Sequence, residues 1–260
     1  MALIANRTKE KLAAGELALG LGLRLARMPE IAKIAAVCGY DWLFVDLEHG
    51  AFSVDTAAQI CAAALDAGIS PIPRASAHEH FHATRLLDAG AQGIVVPHVD
   101  SRAQAEAVRD NCLYPPVGRR SVAGGMAQLE YEALPTGEAA RLINGATLTV
   151  VMIETAEAVE AADAIAAVEG IDALLIGTND LCATMGIPGQ FGHDRVTDAY
   201  DRVVSAARNN GKHAGMGGVY DEELAGRYIA MGARLVLAGN DLPLLMGAAR
   251  ARAGFLRGLV

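Results

Sequence analysis

Residues 42–49 read WLFVDLEH. Four apolar residues followed by an acid, a leucine, an acid and a histidine make the pattern of a strand buried on both faces that runs out into polar groups at its C-terminal end. The same pattern returns in SPIPRA (70–75), GIVVPHVD (93–100), TLTVVMIE (147–154) and ALLIGTND (173–180). The runs stop at Asp46, Glu48 and His49, then at Arg74, His98, Glu154 and Asp180. In a parallel β/α protein the residues just past the strand C-termini converge on one face. The spacing therefore predicts one site assembled from several strand ends.

Working outward, strand-like and helix-like segments alternate along the chain. Strands are expected near 17–23, 42–47, 71–75, 93–97, 147–153, 172–176, 213–217 and 234–238. Helical patterns are expected near 7–15, 29–38, 54–67, 79–89, 101–112, 157–168, 194–210, 221–231 and 242–256. Ser53 and Ser101 stand where N-caps belong, and Gly39, Gly68, Gly90, Gly211 and Gly232 stand where helices stop. Eight strand–helix pairs within 260 residues predict an α/β (β/α)₈ TIM barrel with an N-terminal helix, one domain over residues 1–260. A doubly wound open sheet is the alternative, and the absence of GxGxxG after the first strand counts against it. Residues 113–135, which include YPPVGRRSVAGG, form the longest irregular stretch; a loop of that length in a compact domain is often functional.

The net charge of −8 and the singly scattered basic residues argue against a nucleic-acid surface and against binding to anionic membranes. No apolar stretch reaches the length of a membrane span, and the N-terminal segment lacks the apolar core of a secretory signal. Cys38, Cys61, Cys112 and Cys182 have no zinc-type spacing. A reducing cytoplasm is the expected location.

Glu154 and Asp180 close consecutive strands. Two oxygen ligands suit a hard divalent cation, Mg²⁺, Mn²⁺ or Co²⁺, with substrate and water completing its shell; the alternative is a helix cap and a turn. Arg74 at a strand end needs an anionic partner, because its charge cannot be removed. It can hold a substrate carboxylate and keto oxygen or neutralise a developing enolate, or it can form a salt bridge to a barrel carboxylate. Asp46 and His49 lie three residues apart, so the acid can fix the imidazole as a base; an Asx turn with a surface histidine is the plainer reading. His78, His80 and His82 form HxHxH, but alternate residues do not share a helix face, which points to a helix-start surface. The backbone of Gly177 to Asp180 offers N–H groups to an anion. Arg119 and Arg120 sit in the long loop, where they can meet the far end of a second substrate or form a solvated turn. No lysine follows a suitable strand end, and Lys212 precedes the seventh strand, which argues against Schiff-base chemistry.

YDWLFVDLEHG, PIPRAS, GAQGIVVPHVDS, YPPVGRRSV, VMIETAEAVE and IGTNDL occur in this order. In this the chain resembles the HpcH/HpaI family of class II, metal-dependent pyruvate aldolases, over about Leu17 to Leu245. The resemblance implies reversible aldol cleavage of a 4-hydroxy-2-oxo acid to pyruvate, or a close analogue such as hydroxypyruvate, and an aldehyde. It implies Glu154 and Asp180 as metal ligands, Arg74 as the contact to the pyruvate oxygens, and His49 with Asp46 as the acid/base pair working through metal-bound water. It further implies Asn179 and Asp180 as the carboxylate cradle, Arg120 as a contact to the aldehyde, and Asp241 near a neighbouring subunit's site. A homo-hexamer, a trimer of dimers that exchange the last helix, is implied as well. Three departures stand out: Met152 where the family often has glutamine, GTNDL in place of G-P-x-D-L, and Arg119 where an apolar residue is common. A thioester lyase of the same barrel group and a non-catalytic 2-oxo-acid-binding barrel are the competing readings. The first lacks a basic cluster for coenzyme A phosphates.

Overall fold

The structure, a computed structural model, describes residues 3–76, 78 and 80–260. Its strands are β1 (Ala18–Leu23), β2 (Trp42–Val45), β3 (Ser70–Pro71), β4 (Gly93–Val96), β5 (Leu148–Ile153), β6 (Ala173–Gly177), β7 (His213–Gly217) and β8 (Ala233–Asn240). Its helices are α1 (Arg7–Ala13), α2 (Ile31–Val37), α3 (Val54–Ala67), α4 (His80–Asp88), α5 (Arg102–Cys112), α6 (Thr136–Ala146), α7 (Ala156–Glu160), α8 (Ala162–Ala166), α9 (Thr178–Thr184), α10 (Asp194–Asn209), α11 (Glu222–Met231) and α12 (Asp241–Arg257). The strand order β3-β2-β1-β8-β7-β6-β5-β4 is parallel throughout. The expected strands and most expected helices are present. Helix α6 lies where no helix was expected, the 157–168 helix is split into α7 and α8, and α9 begins at the end of β6.

The barrel closes through Arg74. Regular pairing in β3 ends at Pro71, short of the expected 75, because Pro71 and Pro73 have no N–H to give β4. Their carbonyls still accept from Gln92 N–H at 2.8 Å and Val95 N–H at 2.9 Å, while Arg74 N–H donates to Val45 at 2.9 Å. Arg74 thus bridges Asp46 on one side and Val95 on the other.

Alternate residues of each strand face the barrel axis. Trp42, Phe44, Ile72, Val95, Leu148, Val150, Met152, Ala173, Leu175, Leu235 and Leu237 fill the interior as one cluster. A second, larger cluster fills the space between sheet and helices. The inward rows explain the site: Trp42–Phe44–Asp46, Ile72–Arg74 and Val150–Met152–Glu154 each end in a charged residue at the same end of the barrel. Helix α1 covers the other end, with Asn6 Nδ2 donating to Gln92 and Ala146 carbonyls at 2.8 and 2.9 Å. Among the described residues no helix is long and apolar enough to cross a membrane.

Gly20 makes room for Trp42: a Cβ there would lie 2.2 Å from Trp42 Cε2. Because the indole is fully buried, it has little freedom to move aside. Gly20→Ala is therefore expected to cost about 1–3 kcal/mol, read as a lower urea midpoint. An unshifted midpoint would contradict this packing of the inner layer.

Candidate active site

Residues on or just after every strand but β4 line a cavity of about 240 Å³ at the C-terminal rim. Its lining includes Asp46, His49, Arg74, Met152, Glu154, Asn179 and Asp180. The expected residues thus meet in one place, with the exception of Arg120.

Arg74 is the centre of the network. Its Nε and Nη2 donate to Asp46 Oδ1 and Oδ2 at 3.0 and 2.7 Å, a bidentate pair with both side chains buried. Nη1 lies 2.8 Å from Glu48 Oε2, but the angle falls outside hydrogen-bond geometry and leaves that oxygen without a hydrogen-bond donor. Nη1 also meets Met152 Sδ at 3.9 Å, a soft contact. Arg74 lines the cavity with the edge of the guanidinium that Asp46 does not occupy. Burial works to raise the Asp46 pKa, yet the hydrogen bonds and charge of Arg74, with the N–H of His49, hold it below the ordinary carboxylate value.

The Asp46–His49 pairing differs from the sequence expectation in its atoms. Asp46 Oδ1 accepts from the backbone N–H groups of Glu48 and His49, each at 3.1 Å. No hydrogen bond joins it to the His49 ring among the described residues. The acid with both oxygens on Arg74 sets the main chain of the turn, and the exposed imidazole faces the cavity.

Glu154 is 1% exposed. Its Oε2 accepts from His98 N–H at 2.8 Å and lies 3.2 Å from His98 Nδ1. Its Oε1 is buried with no partner. Gly177 leaves room for that oxygen, since a Cβ there would come within 2.6 Å of it. Burial raises the Glu154 pKa, His98 opposes the rise, and the nearby Asp180 charge adds to it. Two carboxylates that repel one another, one with an orphaned buried oxygen, fit a divalent cation between them. Among the described residues no three His, Cys, Asp or Glu side chains form a closed ligand set, so such an ion would keep positions open for other ligands.

His98 had no assigned role from sequence. It adopts φ 53°, a left-handed conformation uncommon for a bulky residue, and its ring Nε2 lies 3.1 Å from Glu48 Oε1. It links Glu154 to Glu48 and so to Arg74. Helix α9 places Asn179 and Asp180 in its first turn, where N–H groups have no intrahelical acceptor. Thr178 Oγ1 donates to Gly217 carbonyl at 2.8 Å and lies 2.7 Å from Tyr200 Oη, which anchors that turn.

Arg120 lies elsewhere. It is buried, paired with Asp88 at 2.5 Å and stacked 4.4 Å over Tyr114, and it does not line the cavity. His78 Nε2 contacts the Pro97 carbonyl and His82 Nδ1 contacts Ser76 Oγ; the His80 side chain of the HxHxH segment lies outside the described residues. Asp241 accepts from the backbone N–H groups of Arg24, Leu25 and Ala26.

The model of a family described as HpcH/HpaI aldolase/citrate lyase matches residues 24–248. The chain belongs to the HpcH/HpaI aldolase/citrate lyase family. It is similar to the 4-hydroxy-4-methyl-2-oxoglutarate aldolase of Hapsidospora irregularis, at 38% identity over 92% of this chain and 90% of that one. It is 39% identical to the hydroxypyruvate/pyruvate aldolase of Pseudomonas aeruginosa, over 99% of this chain and 95% of that one. The crystal structure of an HpcH/HpaI aldolase from Desulfitobacterium hafniense superposes with a TM-score of 0.91 at 31% identity, covering 96% of both chains. The chain is thus a lyase, with its polar cavity at the strand C-termini.

The buried pair yields a prediction. Removing one partner of a buried ion pair costs about 3–5 kcal/mol, so Asp46→Asn is expected to lose that much stability at pH 7. The folded pKa of Asp46 is depressed, so its contribution is present above the unfolded value of about 3.9 and is lost as pH falls through the folded value. The gap between wild type and variant should therefore shrink on acidification, measured by urea denaturation at several pH values. A gap that stays constant would contradict the pairing.

Proposed function

We propose that this chain is a divalent-metal-dependent aldolase. It cleaves 4-hydroxy-2-oxo acids reversibly to pyruvate, or a close analogue such as hydroxypyruvate, and an aldehyde. The observation that carries the reading is the orphaned, buried Glu154 Oε1 in the lining of one small cavity with Asp180 and Arg74. The aldolase names of relatives that match nearly the whole chain support it. Glu154 and Asp180 would hold the ion. When bound, Mg²⁺, Mn²⁺ or Co²⁺ supplies Lewis acidity to the 2-oxo group.

The chain's own residues do the rest. N–H groups of Asn179 and Asp180 receive the substrate carboxylate. His49 takes the proton of the C4 hydroxyl. The C3–C4 bond then breaks, C4 becomes the aldehyde carbonyl, and its bonding electrons pass to C3 and the C2 oxygen. Arg74, pre-oriented by Asp46, donates to that oxygen as charge develops. The enolate takes a proton at C3 and pyruvate leaves. The cavity, at about 240 Å³, is smaller than the roughly 300–1,000 Å³ of sites for drug-sized ligands, which favours a small oxo acid over a coenzyme A thioester. Three buried free thiols suit a reducing cytoplasm.

A second copy of the chain is the proposed partner of α12. None of its residues is buried, yet it carries exposed Leu242, Leu244, Leu245, Met246, Phe255 and Leu256. A groove lined by Ile34, Val37, Ala63 and Ala67 lies open along α2 and α3. Exchange of α12 between two copies covers both surfaces, and a trimer of such dimers is the proposed assembly. Sedimentation equilibrium should give a hexamer, or at the least a dimer that Leu245→Glu weakens; a wild-type monomer would contradict the exchange.

The activity is tested by pyruvate release from a 4-hydroxy-2-oxo acid with Mg²⁺ or Mn²⁺. Chelator should stop it. Glu154→Gln should remove both turnover and the metal-dependent rise in Tm while leaving the circular dichroism spectrum intact. Cleavage that persists in chelator would contradict the mechanism.

A further inference from the structure

The two carboxylates proposed to hold the ion are themselves held in different ways. Glu154 has the His98 N–H on one oxygen at 2.8 Å. Among the described residues no hydrogen bond reaches the Asp180 carboxylate, so its place is set by the main chain of α9. That helix has little of its own to hold it. It runs for 7 residues, and its N-cap, Gly177, makes no side-chain cap. A larger N-cap does not fit, because a Cβ on Gly177 would lie 2.6 Å from Glu154 Oε1. An uncapped helix of this length is marginal without tertiary support.

The support comes from buried hydroxyl groups. We propose that α9 is a strut between the two ligand-bearing strands, and that Thr178 and Tyr200 are positioning residues that set how tightly the ion is bound. The proposal rests on the metal-dependent reading above and adds the groups that adjust the site from behind.

Each end of α9 is tied to a different strand. At its start Thr178, fully buried, donates from Oγ1 to the Gly217 carbonyl at the end of β7 at 2.8 Å. At its end Thr184 Oγ1 lies 3.1 Å from the Glu154 carbonyl and 3.0 Å from the Leu181 carbonyl. A threonine hydroxyl has one hydrogen. Thr178 uses it on Gly217, so in the 2.7 Å contact with Tyr200 Oη the phenol is the donor. Tyr200 is also fully buried and cannot turn that hydroxyl to water. Its ring stacks on Tyr228 with centroids 3.7 Å apart and planes 7° from parallel. Tyr228 Oη in turn donates to the Phe191 carbonyl. The outer helices α10 and α11 thus fix the first residue of α9.

Asp180 stands two residues beyond Thr178, and Glu154 supplies the carbonyl that Thr184 meets. A shift of α9 therefore moves one carboxylate against the other. Thr178→Val keeps the shape of the side chain but leaves Tyr200 Oη and the Gly217 carbonyl without their partner, and buried groups in that state drive rearrangement. Groups that orient a metal ligand from outside the coordination shell act on affinity in this way. If instead these hydroxyls serve packing alone, their loss should lower stability and leave ion affinity as it was.

The test measures Mn²⁺ binding to the full chain without substrate, by electron paramagnetic resonance of the free ion, with urea denaturation of the same samples. Thr178→Val should weaken Mn²⁺ binding by on the order of 10-fold, and Thr178→Ser, which keeps the hydroxyl, should recover most of it. Tyr200→Phe should weaken it by roughly 3- to 10-fold, and this variant decides the matter if Thr178→Val does not fold. Tyr228→Phe removes a buried hydroxyl one ring further away; it should lower the urea midpoint and leave Mn²⁺ affinity unchanged. Wild-type affinity in folded Thr178→Val or in Tyr200→Phe, or an equal loss in Tyr228→Phe, would overturn the strut and leave the metal reading standing. A wild type that binds no Mn²⁺ would overturn both.

Discussion

The pair between Arg74 and Asp46 is where fold and chemistry meet. The Arg74 main chain bridges β2 and β4 and closes the barrel, while its side chain is locked by two hydrogen bonds to the acid at the end of β2. Burying two charges is costly, and a buried pair is rarely kept for stability alone. Here the pair keeps a guanidinium at fixed orientation with one edge toward the cavity. A flexible arginine would have to be ordered during the reaction, whereas this one is ordered by folding.

On the opposite side of the cavity the balance of charge runs the other way. Glu154 is buried, has one unsatisfied oxygen and repels Asp180. His98 takes up a strained backbone conformation to place both an N–H and a ring nitrogen on the other Glu154 oxygen. Strain that is held in place by surrounding contacts is characteristic of functional sites. The free oxygen cannot rotate away to find His98, because His98 already has its twin. A cation shared with Asp180 would relieve the repulsion and the missing contact together. Without such an ion the arrangement costs stability, the usual trade between stability and function.

Much of this could be read from sequence, for a physical reason. In a parallel sheet the inward rows have period two, so Asp46, Arg74 and Glu154 fall at the ends of rows whose earlier members are apolar. Asp180 could be placed because it follows a buried strand directly. Side-chain partners were less accessible. Asp46 within three residues of His49 suggested a dyad, but Arg74 from the next strand claims the carboxylate. Arg120 is separated from the strand ends by a long loop, and nothing local foretold that Asp88 and Tyr114 would enclose it. Helix α6 leaves a weak signal because TGEAARLINGA (136–146) carries internal glycines that dilute a helical pattern.

The proposed chemistry requires a single ion between the ends of β5 and β6, within reach of Arg74. Anomalous diffraction from crystals grown with Mn²⁺ and pyruvate measures this directly. The expected result is one peak bonded to Glu154 Oε1 and an Asp180 oxygen, with pyruvate oxygens completing the contact toward Arg74. A cavity holding pyruvate with no peak there, or a peak held by other side chains, would contradict it.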